Sequence, residues 1–154
     1  MAKLELKIPP PAILILCGVF AWLTSVTVTT PLDGHGVVAT ILAILSMSVG
    51  IMLAASAILS FRRMETTIDP KKPDDASTLV TSGIYRFTRN PMYLALLLLL
   101  SGWVIYLGSI MGIAFLFIFI AYITRFQIRP EERILASIFG EAYFNYCGEV
   151  RRWI

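Results

Sequence analysis

Ser82-Gly83-Ile84-Tyr85-Arg86-Phe87-Thr88-Arg89-Asn90-Pro91-Met92-Tyr93 is the stretch whose reading decides the fold of this 154-residue chain. It closes a charged segment and runs straight into Asn90 to Thr124, the longest uncharged run in the sequence. A second polar cluster, Arg129-Pro130-Glu131-Glu132, follows soon after that run ends. One helical crossing of a bilayer takes about 20 residues, so the run is too long for a single span and suffices for two short ones. Gly108, between Leu107 and Ser109, is the natural place for the bend. A hairpin there returns both polar clusters to the same membrane face, where they are expected to form one site.

Working outward, the rest of the chain reads the same way. It is 57% hydrophobic and 15% charged, with a mean hydropathy of +0.77, which indicates an integral membrane protein with no room for a large soluble domain. Ile8 to Leu32 and Gly36 to Phe61 are also uncharged, the first opened by three prolines and stopped by Pro31, the second closing on Arg62-Arg63. The expected fold is all-α and polytopic: a single membrane domain over 1–154, with four transmembrane helices at about 11–30, 37–61, 91–107 and 110–126. All 13 lysines and arginines fall in the N-terminal tail, in 62–89, or after Thr124. The positive-inside rule then places both termini and the 62–90 loop in the cytoplasm. A cleaved signal peptide is the rival for the first run, but that run is long for one and no clear cleavage site follows. The tail, 129–154, reads as helical and interfacial, with Pro130 at a helix start, Glu131 and Glu132 at its positive end, and Gly140 ending a first piece.

Several function classes drop out. None of the four runs has a charged residue in its interior, where ion-coupled transporters need one. Cys17 and Cys147 make no disulfide framework, and His35 stands alone on the outer side. No metal-ligand spacing and no dinucleotide fingerprint is present. The basic residues trace a membrane face, with nothing to indicate nucleic acid. What remains is at the cytoplasmic edge. Arg86, Arg89, Tyr85 and Tyr93 each have an ordinary explanation as interfacial residues, and Trp103 and Tyr106 fit an aromatic belt. Two arginines, two carboxylates and several tyrosines converging after a minimal hairpin can also bind a zwitterionic, hydroxyl-bearing ligand. Free N–H groups at a helix begun by Asn90-Pro91 could bind a carboxylate.

Those residues carry a resemblance. Gly83-Ile84-Tyr85-Arg86, then Arg89-Asn90-Pro91-Met92-Tyr93-Leu94-Ala95, then Glu131-Glu132, Leu135, Phe139-Gly140, Tyr143 and Tyr146 resemble the membrane-embedded methyltransferases grouped with isoprenylcysteine carboxyl methyltransferase and phospholipid methyltransferase. The resemblance spans Leu79 to Ile154. It implies S-adenosylmethionine as methyl donor, bound at the cytoplasmic face. Tyr85, Arg89, Asn90, Pro91, Tyr93 and the Leu94 backbone would line the cofactor site, Glu131 and Glu132 would hold its polar groups, and Tyr143 and Tyr146 would cover it. Arg89 and Glu132 would be the catalytic pair. Asn90 stands where many members carry histidine, and Ala95 where glycine is usual, which would make the approach of backbone to cofactor less close.

Methyl transfer from a sulfonium requires alignment and exclusion of water, without a metal. Only Glu131, Glu132 or Tyr93 could serve as a local base, which favours an acceptor already ionised or deprotonated by solvent. The acceptor is expected to be lipophilic, with a carboxylate, amine or thiol equally open. Two other classes stay open: an NADPH-dependent membrane reductase of the sterol reductase type, with Arg151 and Arg152 as phosphate contacts, and a non-catalytic membrane scaffold.

Overall fold

The computed structural model describes residues 5–27, 36–63 and 79–154. Every regular element among them is helical: α1 (Pro10–Thr27), α2 (Val37–Arg63), a 3₁₀ turn (Gly83–Arg86), α3 (Pro91–Leu107), α4 (Gly112–Ile123), a π-helical turn (Thr124–Ile128), α5 (Arg129–Phe139) and α6 (Glu141–Glu149). Three stretches are long and apolar enough to cross a membrane, Pro10–Thr27, Val37–Ser60 and the continuous Gly112–Phe139, while Pro91–Leu107 is a shorter apolar helix. The expected outer loop with His35, and most of the 62–90 loop, lie outside the described residues.

α3 is the central helix. It touches α2 along almost its whole length and meets α1 and α4 on its other side. Lipid tails are as apolar as leucine, so membrane helices gain little by hiding apolar surface and associate instead through close packing of small residues. Ala43, Gly50 and Ala57, one heptad apart, form such a stripe on α2. A Cβ on Gly50 would stand 3.0 Å from the Ala95 carbonyl oxygen, and one on Gly102 would stand 2.8 Å from the Ala43 carbonyl oxygen. Ser46 Oγ donates across the same seam to Leu98 O at 2.8 Å. On the opposite side, Ile13 and Cys17 of α1 pack with Leu100, Phe119, Ile123 and Ile128, and Trp103 Nε1 donates to Gly18 O at 3.1 Å. The outward faces of α1 and α2 carry Ile15, Val26, Val38, Ile41, Ile44 and Ile51, all exposed, a surface suited to hydrocarbon.

The turns are set by backbone chemistry. Pro91 occupies the first turn of α3 and Gly108 ends it in the left-handed conformation at φ 61°, where glycine carries no Cβ penalty. The fourth helix does not stop near residue 126. It continues through the π turn into α5, and Pro130 supplies the reason. Proline has no N–H to give the carbonyl four residues back, which is Phe126. That carbonyl accepts instead from Leu6 N at 3.0 Å. Gln127 Nε2 donates to Ile8 O at 2.7 Å, and Glu5 pairs with both Arg125 and Arg133. The N-terminal segment is thus a strap along the kink. Glu131 and Glu132 consequently sit at no free helix N-terminus, and the dipole reading of their position does not hold. The rod ends at Gly140, at φ 53°, and α6 turns away from it.

Candidate active site

The start of α1, the end of α2, the start of α3 and the end of α4 all lie at one end of the bundle. Glu5 on Arg125 and Arg133 ties the first to the last. Val80 and Tyr85 pack on Ala57 near the end of α2. Arg89 Nη2 stands 3.1 Å from Glu132 Oε1, tying the residue before α3 to α5. The Tyr93 hydroxyl, one turn into α3, donates to Glu131 Oε1. Consecutive residues on a helix diverge by about 100°, so the neighbouring carboxylates address different partners.

Glu132 has a second cationic partner in the C-terminal segment. Arg152 Nε donates to its Oε1 at 2.9 Å and Arg152 Nη2 to its Oε2 at 2.8 Å, a two-pronged fork. This pairing raises the Arg152 guanidinium above its ordinary value. The backbone of the same segment completes the join. Arg89 N donates to Arg151 O at 3.0 Å, Asn90 Nδ2 to Arg152 O at 2.9 Å, and Thr88 Oγ1 to the same carbonyl at 3.4 Å. Apolar anchors hold the segment on both sides: Val150 is buried with Tyr143 and Tyr146, and Trp153 packs on the cluster that Tyr93 also joins.

Asn90 occupies the N-cap position of α3 but makes no side-chain cap; its amide is taken by Arg152. Pro91 is fully buried. The Leu94 N–H is spent on Asn90 O at 3.0 Å, so it is not free to meet a ligand. Ala95 is fully buried, with its carbonyl toward Gly50 of α2. The close approach at that position is to a neighbouring helix. Tyr146 OH donates to Tyr85 O at 2.6 Å, and the Tyr143 and Tyr146 rings lie 6.5 Å apart. Burial pushes both phenols up, Tyr146 to about 12, so neither is a base near neutral pH. Arg89 Nε is buried with no hydrogen-bond partner among the described residues. Such a donor costs about 1–3 kcal/mol until an acceptor reaches it.

Sequence reasoning missed the part played by Arg151 and Arg152, which it had considered only as phosphate contacts, and that of Thr88 and the Glu5–Ile8 strap. The one signal for the former is the order Val150-Arg151-Arg152-Trp153, an apolar pair bracketing two arginines in place of a plain polar tail.

A curated relative, an uncharacterized protein of Haemophilus influenzae, is 46% identical over 63 residues, covering 41% of this chain and the whole of the relative. No solved structure matches significantly. The profile of the family described as phospholipid methyltransferase matches residues 38–142, more than half of the chain, and the chain belongs to that family.

Proposed function

We propose that this protein is an integral membrane methyltransferase that uses S-adenosylmethionine and acts on a lipophilic acceptor at the cytoplasmic face. The observation that carries the reading is the meeting of Arg89 and Tyr93, at the start of one apolar helix, with Glu132 and Glu131, beyond the end of the next. Four crossings with both termini in the cytoplasm belong to the same proposal. Their support is that the helix ends meeting around the site are the ends flanked by the basic residues.

The residues fit the donor. The buried Arg89 Nε has an unfilled demand for an acceptor, which a carboxylate satisfies. Glu131 is bonded to a neutral hydroxyl and can take a cation. When bound, S-adenosylmethionine supplies a methyl group on a sulfonium, open to in-line displacement by a nucleophile. The protein's contribution is to align and to keep dry. Arg89 orients the anionic end, Glu131 the cationic end, and Tyr143 and Tyr146 close the cytoplasmic side. The two buried phenols, Tyr143 and Tyr146, stay protonated. The Tyr93 hydroxyl donates to Glu131 and so is no base, which leaves few local bases and favours acceptors that are already anionic. Of the two phosphate contacts the NADPH reading nominates, Arg151 and Arg152, the second is engaged by Glu132.

Purified protein titrated calorimetrically with S-adenosylhomocysteine and with NADPH is expected to bind the first alone. Glu132→Ala and Arg89→Ala are expected to weaken that binding strongly. Binding of NADPH in its place would overturn the reaction class, and unchanged affinity in both variants would remove the site.

A further inference from the structure

The carboxylates of the consecutive pair are unequally compensated. Glu132 is flanked by two guanidiniums, Arg89 on one oxygen and the Arg152 fork on both. Glu131 receives only the Tyr93 hydroxyl, and no lysine or arginine pairs with it among the described residues. A carboxylate with two cations already on it offers little to a third, whereas one that receives only a neutral hydroxyl has no cation beside it.

We propose that Arg152 is a positioning residue which, by fastening Glu132 and drawing Val150–Trp153 across the start of α3, leaves Glu131 as the carboxylate that receives the cationic group of the methyl donor. This rests on the donor assignment above and gives Glu131, not Glu132, the contact with the cationic group, where sequence reasoning set Glu132 apart as catalytic. Arg152 acts at two levels. Its guanidinium holds α5 through Glu132, while its carbonyl holds Asn90 and Thr88. Arg152 thus adds a tie between α5 and the start of α3 beside the Arg89–Glu132 pair and the Tyr93–Glu131 hydrogen bond. Arginine is required because only its planar fork meets both carboxylate oxygens; lysine offers a point charge.

Two ligands separate the roles: S-adenosylhomocysteine, which carries an ammonium, and 5′-methylthioadenosine, which has no amino-acid portion. Full-length protein in nanodiscs would be titrated with each. Glu131→Gln is expected to weaken the first roughly tenfold or more and to leave the second unchanged. Arg152→Ala and Glu132→Gln are expected to weaken both ligands alike. The double variant should be no worse than Glu132→Gln alone, because that change already removes the carboxylate the Arg152 fork grips. Arg152→Lys should restore part of the loss. A Glu132→Gln variant that selectively loses the ammonium ligand, or an Arg152→Ala variant that binds both ligands as the wild type does, would overturn the proposal and leave the donor assignment standing. Wild-type protein that binds neither ligand would overturn both. Hydrogen exchange at the Arg89 amide, bonded to Arg151 O, reports the strap without any ligand. Protection is expected in the wild type and its loss in Arg152→Ala, and retained protection in that variant would overturn the positioning role.

Discussion

Three glycines on the helix seams supply a graded test of how the bundle is held. An added Cβ would stand 3.6 Å from Trp103 Cδ1 at Gly18, 3.0 Å from Ala95 O at Gly50, and 2.7 Å from Met47 Cγ and 2.8 Å from Ala43 O at Gly102. Met47 is a flexible side chain and can turn away, but the Ala43 carbonyl is helix backbone and can move only with α2. Restoring ordinary contact requires the two helices to separate by roughly half an ångström, which also stretches the Ser46–Leu98 hydrogen bond. Gly102→Ala is therefore expected to destabilise by about 1–3 kcal/mol, the cost of overpacking a tight seam. At Gly18 the methyl finds ordinary contact, and exchanging helical glycine for alanine contributes roughly 0.5–1 kcal/mol of stability. The two substitutions, chemically identical, should have opposite signs, with Gly50→Ala in between. At about 2–4 °C per kcal/mol for a chain of this length, Gly102→Ala should melt roughly 2–12 °C below the wild type and Gly18→Ala at or above it. Cys17 is buried between α1 and the α3–α4 pair, so a thiol-reactive fluorophore in a Cys147→Ser background reports the opening of the bundle on heating. Equal melting of the Gly18 and Gly102 variants would refute the assignment of α2–α3 contact to backbone proximity.

Tyr93→Phe removes the hydroxyl that donates to Glu131, and a hydrogen bond to a charged group contributes about 1.5–3 kcal/mol; affinity for S-adenosylhomocysteine should fall at least tenfold and the melting point by roughly 3–12 °C, as calorimetry and the thiol assay would read. Tyr146→Phe removes the hydroxyl that donates to the Tyr85 carbonyl and should cost about 0.5–1.5 kcal/mol of stability, seen as a lower melting point. The Glu5 carboxyl is raised by desolvation but lowered more by its bonds to Arg125 and Arg133, for a net value below the ordinary 4.5. A depressed carboxylate contributes stability above its unfolded value and loses it as pH falls through the folded one. The Leu6 amide, corrected for the intrinsic pH dependence of exchange, should thus lose protection only below about pH 4.5, and Glu5→Gln should show reduced protection above that pH and converge on the wild type below it.

What the sequence made legible is what the backbone must do locally. Pro91 could only begin a helix there, Gly108 was the residue able to take a left-handed turn, and the apolar runs had to be helical because hydrocarbon satisfies no backbone polar group. The site residues were legible as neighbours because a minimal hairpin leaves few places for Arg89 and Glu132 to go. Their partners were not. Nothing in Thr124-Arg125-Phe126-Gln127-Ile128 announces a π turn, since it depends on a donor at Leu6, far away in sequence. Pro130 read as the start of a separate helix for the same reason: its missing N–H is usual at a first turn, and only the distant Leu6 N–H makes it tolerable inside a rod. The Asn90 amide likewise looked free for a cap or a ligand until Arg152 O was placed beside it.

These long-range bonds have one consequence in common. A π turn carries one residue more than a regular turn, and each residue advances a helix by about 100°, so the turn sets the phase at which Glu131 and Glu132 leave the rod. In an unbroken α-helix each residue would point where the next one now points, which would turn Glu131 away from Tyr93 and bring Pro130 to that place. The phase is fixed from the N-terminal side by Leu6 on Phe126 O and by Glu5 on Arg125 and Arg133. From the C-terminal side it is fixed by Arg152 on Glu132. Ile8 and Trp153 pack on the same apolar cluster, so the two straps share one foundation. A pair of carboxylates beyond the end of a membrane helix has no bilayer to hold its rotation. Here the chain's two termini supply that constraint.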